Sequence, residues 1–167
     1  FKSRIKNYCS SVNLIHLPVV NARHRLLIFK FIISLIKFAP FTFYKYYSHE
    51  MKITVEKLYE LKKHEIVYID HTNMAQYIPQ VSKAKVILDE HNIAHETFKN
   101  FAENESNPLL RIIYYLESFK LKRIEKKYLQ KFDHIFTISK LDRKRVQMLG
   151  IRKNKTSFLP INFTNNY

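Results

Sequence analysis

Glycine occurs once in this 167-residue chain, at Gly150, cysteine once, at Cys9, and tryptophan not at all, while 14 acidic residues stand against 29 lysines and arginines. Each scarcity excludes something. An α/β domain that cradles a phosphate needs glycine where a βα turn meets the ligand closely, so a Gly-rich phosphate loop is not expected here. A lone cysteine rules out an internal disulfide and makes the cytoplasm the expected compartment. The apolar runs are too short and too interrupted by charge to span a bilayer, which takes about 20 apolar residues. The acid deficit leaves a formal net charge of +15, which reads in two ways. An AT-rich coding sequence would yield the same abundance of Lys, Ile, Phe, Tyr and Asn without selection for a basic surface. Alternatively, the charge attracts anionic lipid head groups or phosphorylated ligands. Nucleic acid is not an expected partner, because no helix-turn-helix, zinc or RNA-recognition signature accompanies the charge.

Hydrophobic residues make up 46% of the chain, enough to bury the core of one domain. The stretch that organises the reading is Val86 to Asn92, VILDEHN. An apolar run, Val86, Ile87 and Leu88, passes directly into Asp89, Glu90, His91 and Asn92, as a buried parallel strand does when it ends at a polar rim. Open α/β sheets put their ligands at the carboxyl ends of strands, and this rim offers acids, an imidazole and an amide. The other reading is a cap cluster that starts a helix over His95 to Glu105.

In chain order, Phe1 to Cys9 reads as the end of a helix and Val12 to Leu17 as a short strand stopped by Pro18. From Arg23 to Ala39 the chain is apolar around most of a helix, with Arg23, Lys30, Ser34 and Lys37 forming one polar stripe. Such a helix either lies buried with its lysines reaching to water, or rests on a membrane surface with Phe41, Phe43, Tyr44, Tyr46 and Tyr47 as interfacial aromatics. Ser48 caps a predicted helix through Lys63, with Met51, Val55, Leu58 and Leu61 inward. Ile66 to Ile69 is a second strand that runs into a polar rim, Asp70, His71, Thr72 and Asn73. A short helix closed by Pro79 leads to VILDEHN, the order that parallel pairing requires.

Asn107 or Ser106 caps a long helix opened by Pro108, whose expected apolar face is Leu109, Ile112, Ile113, Leu116, Leu121, Ile124 and Tyr128, with Lys120, Lys122, Arg123, Lys126 and Lys127 solvated. His134 to Ile138 is the next strand. Ser139 and Asp142 form a capping box, Gly150 stops the helix, and Thr156 to Leu159 is the last strand, broken at Pro160. Four strands thus end in residues able to bind something: Asp70 and His71, Glu90 and His91, Ser139, and Pro160 to Asn162. In a right-handed parallel sheet these ends share one edge. His16, His24, His49, His64 and His134, which lie outside these rims, read as structural hydrogen-bonders.

The segments VYIDHTNMAQYIP, VILDEHNIAHETFKNFAENESNPLLR, FDHIFTISKLDRKRVQMLG and FLPINF resemble, in order and spacing, the amino-terminal domain of family-4 glycosyltransferases of GT-B fold. The resemblance covers roughly Val12 to Phe163. It implies an α/β, Rossmann-like parallel sheet with helices on both faces, spanning residues 1–160 as a partial acceptor-side domain, with 161–167 beginning a linker to a donor-binding domain. It also implies sugar transfer with retention, from a nucleotide-sugar donor to a glycan or lipid-linked acceptor, usually without a metal ion or other cofactor. By this resemblance His91 falls on the active-site histidine, and Asp70, His71, Glu90, Asn92 and Ser139 are expected to bind substrate. The sequence departs from the family in lacking a Gly-rich first loop, in reading Pro160, Ile161, Asn162, Phe163, Thr164 where Pro-x-Gly-Val-Asp is usual, and in lacking the donor domain with its E-x7-E motif. Glu117 and Glu125 have that spacing, but they point about 80° apart on a Lys-rich helix and are not read as the motif. Both ends of the chain read as cut. The reading from another class is a non-catalytic basic module that binds an anionic membrane through Arg23 to Tyr47.

Overall fold

The structure, a computed structural model, describes residues 8–15, 24–80 and 83–160. Its elements in chain order are α1 (His24–Ile36), α2 (Phe41–Tyr46), α3 (His49–Lys62), β1 (Ile66–Asp70), a 3-10 helix (Thr72–Tyr77), β2 (Lys85–Glu90), α4 (Ala94–Asn104), α5 (Pro108–Leu129), β3 (His134–Thr137), α6 (Lys140–Met148), a short 3-10 turn (Lys153–Lys155) and β4 (Thr156–Phe158). The strands form one sheet in the order β1-β2-β3-β4 with every neighbouring pair parallel, an α/β Rossmann-like arrangement flanked by helices.

The period-two alternation of the strands divides the sheet's faces. Ile69, Leu88 and Ile135 lie side by side in register, all buried, and Val86 continues that face. Leu129, Phe132, Ile93 and Val146 close over them to make the core. Burying one such side chain contributes about 1.5–3 kcal/mol, so this cluster fixes the register that sets the rim.

Local signals place most helix ends. Ser48 accepts from the Met51 N–H and opens α3. Asn107 accepts from the Leu109 and Leu110 N–H groups with Pro108 at the first turn of α5. Gly150, at φ +94°, ends the α6 segment where a side chain would be strained.

Five expectations fail. Val12 to Ile15 form no strand, and the outer edge of β1 carries no paired strand among the described residues, so this run lacks a ladder to join; His16 and Leu17 lie outside the described residues, as do Arg23 and the residues 161–167. Tyr8 and Cys9 are not helical, and the rest of that predicted helix also lies outside. The α1 stripe is partly inverted: Ser34 is fully buried, donating its hydroxyl to the Phe31 carbonyl, while Ile28, Phe29, Ile32 and Ile36 are exposed. Leu61 is 82% exposed because α3 ends one residue later, at a left-handed Lys63. On α5 the buried residues are Glu117, Ser118, Lys120, Leu121, Glu125 and Leu129, whereas Leu109, Ile112 and Leu116 are exposed. The reason is electrostatic: Lys120 Nζ lies 2.8 Å from Glu117 Oε2, and paired charges can occupy an interior position that periodicity assigns to leucine. No helix among the described residues is long and apolar enough to cross a membrane.

Candidate functional site

Parallel pairing sets Asp70 of β1 directly beside Asp89 of β2. Both belong to the sheet face opposite the core, because each is an even step from Tyr68 and Ile87 and an odd step from buried Ile69 and Leu88. Two carboxylates at neighbouring positions concentrate negative charge. The Tyr68 hydroxyl donates to Asp89 Oδ2 at 2.6 Å, and it is pushed up to about 12 by desolvation, by that hydrogen bond and by the charges of Asp89 and Asp70, although the residue as a whole remains half exposed.

The two histidines answer that charge. His91 Nε2 lies 3.6 Å from Asp70 Oδ1 and 3.4 Å from Asp89 Oδ2. His71 Nε2 lies 3.6 Å from the same Asp70 oxygen. The two rings are 4.9 Å apart between centroids and tilted at 58°. Asp70, His71 and His91 each present one ligand atom, all within 4.8 Å of one another, and are, among the described residues, the group able to hold a metal ion.

His71 reaches this position through an unusual backbone, φ +66° and ψ 139°. Residues other than glycine rarely adopt positive φ, and such a conformation costs on the order of 1–3 kcal/mol. It is held at both ends: the His71 N–H donates to the Asp89 carbonyl at 3.0 Å and its carbonyl accepts from Met74 N–H at 3.0 Å. In a chain with one glycine, a histidine makes the turn.

Glu90 faces the opposite way. It shares the core face of β2 with Val86 and Leu88, is 2% exposed, and accepts hydrogen bonds from the Thr72 N–H at 3.1 Å and from the Thr72 hydroxyl. Burial and then the charge of Glu125 push its carboxyl well above the usual range, against the opposing pull of N–H bonds from Asn92 and Thr72. Glu90, expected among the substrate contacts, thus lies on the core side as a buried tie between the Thr72 and Asn92 turns. Asn92 is exposed beside it. Ser139 is engaged elsewhere: its Oγ accepts from the Asp142 N–H at 2.9 Å, and it caps α6. The structure thus brings Asp70, His71 and His91 together and sets Glu90 and Ser139 apart from them.

Sequence reasoning missed a second polar cluster. The first residue of α4 follows Ile93, which has no capping side chain. The acceptor comes from α5: Glu125 Oε1 takes the Ala94 N–H at 2.7 Å and the His95 N–H at 3.4 Å, while its other oxygen contacts His95 Nδ1. His95 Nε2 lies 3.2 Å from Glu96 Oε1. Glu117, two turns earlier on α5, similarly accepts from the Thr42 N–H at the start of α2. The available signal was the missing cap at Ile93, since a buried helix start must find an acceptor somewhere. His134, read as structural, donates to or accepts from Ser157 Oγ at 2.9 Å.

A cavity of about 840 Å³, lined by Glu56, Tyr59, Lys63, Glu65 and Lys83 among others, opens at the other edge of the sheet, before β1 and β2 begin. It is remote from the rim and holds none of the rim donors. Compared with family models, with curated proteins and with solved structures, the chain matches none.

Proposed function

We propose that this chain is the acceptor-side domain of a retaining GT-B glycosyltransferase of family 4, whose parent enzyme moves a sugar from a nucleotide-sugar to a glycan or lipid-linked acceptor. One observation carries the reading: His91, with His71 and Asp70 beside it, stands partly exposed at the carboxyl edge of a parallel sheet, where such sheets place ligands. In this reading the nucleotide-sugar is held mainly by a second domain outside these residues, and no cofactor is required. His91 then hydrogen-bonds a hydroxyl of the reacting sugar. Asp70 and Asp89 orient its ring and favour the positive charge that develops on the sugar in the transition state. Asn92 lines the same edge, and Glu90 and Thr72 position it from within. The test is a screen of the full-length protein against nucleotide-sugars, followed by His91→Ala. Transfer that disappears in the variant supports the reading. Transfer that persists, or its absence with every donor, overturns it.

A second reading rests on a different observation, an exposed apolar surface shared by α1 and α5. Ile32, Leu35, Ile36 and Phe38 of α1 and the following turn are exposed, as are Leu116 and Phe119 of α5, and the Phe38 and Phe119 rings meet at 6.1 Å. Exposed Lys37, Lys122 and Arg123 adjoin it. Apolar side chains ringed by cations suit the interface of an anionic bilayer. Sedimentation with vesicles containing phosphatidylserine, but not with neutral ones, and release by salt would support it.

A further inference from the structure

We infer that Asp70, His71 and His91 form a binding site for a divalent transition-metal cation of the zinc type. The inference uses the ligand atoms alone and does not rest on the sugar-transfer reading.

The geometry is close to what coordination needs. In a tetrahedral site with bonds of about 2.0–2.1 Å, neighbouring ligand atoms sit roughly 3.3–3.5 Å apart. Here each histidine Nε2 is 3.6 Å from Asp70 Oδ1, and one ligand atom from each of the three residues falls within 4.8 Å of the others. Two edges of the ligand triangle are nearly at their final length, and the third closes by rotation of two rings that are already 4.9 Å apart.

The donor set selects the ion. Two imidazoles and one carboxylate suit zinc, cobalt, nickel or ferrous iron, whereas magnesium and calcium prefer all-oxygen surroundings. The charge invites a cation too. Asp89 lies in register beside Asp70 and 3.4 Å from His91 Nε2, so two carboxylates face two imidazoles, and bound Zn²⁺ would relieve their mutual repulsion. The side chains of Asp70, His71 and His91 are 65%, 43% and 33% exposed, which leaves solvent free to supply a fourth ligand. The positive φ of His71 adds an independent point: a backbone conformation that costs stability is kept where it brings the second imidazole to the first.

A cation on His91 Nε2 would stand where the sugar-transfer reading puts a hydroxyl, so bound metal and bound sugar exclude each other at that atom. The experiment is titration of the untagged, metal-stripped full-length protein with Co²⁺, followed by visible d–d absorption, and with Zn²⁺ by calorimetry. One equivalent should bind. His91→Gln and Asp70→Asn should each weaken binding at least tenfold, as should His71→Asn, which keeps a residue tolerant of positive φ. His64→Ala, at the far edge of the sheet, should leave it unchanged. Circular dichroism establishes that each variant is folded. Absence of binding, or affinity unchanged in the three rim variants, overturns the inference, as does loss of binding in His64→Ala. Product formation from nucleotide-sugars is scored separately, so failure of one idea is distinguishable from failure of the other.

Discussion

At the ends of β1 and β2, Asp70, Asp89, His71 and His91 meet one another through side chains that stay open to solvent. On α5, Glu117 and Glu125 are nearly sealed, and each spends an oxygen on the first N–H groups of another helix, α2 or α4. Both regions are built from carboxylates facing cationic or imidazole partners. What separates them is where the hydrogen-bonding capacity goes. The α5 acids accept from backbone donors at two helix starts, so they hold the fold together, whereas the rim groups keep ligand positions free. A buried polar group without its partner is costly, and an exposed one merely finds water.

The widest gap between the two regions is expected in stability. Glu125→Ala leaves His95 Nδ1 and the Ala94 and His95 N–H groups without the carboxylate they share. Breaking a buried pair by removing one partner costs about 3–5 kcal/mol. Urea denaturation of the variant should show a loss in that range, and a loss below about 1 kcal/mol would mean that water replaces the carboxylate and that the two regions do not differ in kind.

His91→Ala is the mirror experiment. The ring is one-third exposed and fills little core volume, so its removal should change stability by less than about 0.5 kcal/mol. If the proposed sugar transfer holds, the variant of the full-length protein should show turnover at least tenfold lower, since a positioned hydrogen bond realised in the transition state is worth roughly 2–4 kcal/mol. A variant that melts well below its parent yet retains turnover would move His91 to the structural side of the comparison.

Glu90 stands between the regions, on the rim strand but facing the core. Burial and the Glu125 charge raise its carboxyl in the folded protein above the unfolded value of about 4.3. Between those two values the folded state binds more protons than the unfolded one. Stability from this group is therefore full below the unfolded value and declines as pH rises through the folded one, by up to about 1.4 kcal/mol per pH unit. Glu90→Gln should flatten that decline in a pH series of denaturation curves. An unchanged slope would show that Glu90 titrates as a solvated carboxyl does.

Local signals were the legible part of this molecule. VILDEHN announces β2 and its rim because a strand that enters a polar run changes composition within a few residues, and Ser48, Asn107-Pro108, Ser139 and Gly150 mark helix ends through bonds that reach only two or three residues. Parallel order could be read from the alternation of strands and helices. The α5 interior was hidden because Glu117, Lys120 and Glu125 break the rule that the buried face is the apolar one, and their partners, Thr42 and the start of α4, lie 75 and about 30 residues away. Within the candidate site, His91, His71 and Asp70 were found from their positions at strand ends. Asp89 was legible as part of the VILDEHN rim, whereas Tyr68 gained its place only from the β1–β2 register, and Glu90 faces the core because one step along a strand turns a side chain from rim to core.

The smallest expected effect belongs to Ser139, which the resemblance groups with His91 and the structure groups with the caps. Its hydroxyl oxygen accepts from the Asp142 N–H at the first turn of α6, and Arg145 Nη1 holds the Asp142 carboxylate at 3.0 Å. Ser139→Ala removes one acceptor from a half-buried helix start, and an N-cap lost in this way costs about 1 kcal/mol. Ser139→Asp keeps an N-cap acceptor but changes the size and charge of what a sugar would meet. If Ser139 is a cap and nothing more, the alanine variant loses about 1 kcal/mol in urea denaturation, the aspartate variant recovers most of it, and both leave the proposed sugar transfer of the full-length protein unchanged. If it also touches substrate, the aspartate variant regains stability while turnover stays low, and the rim that binds then extends from β1 and β2 as far as β3.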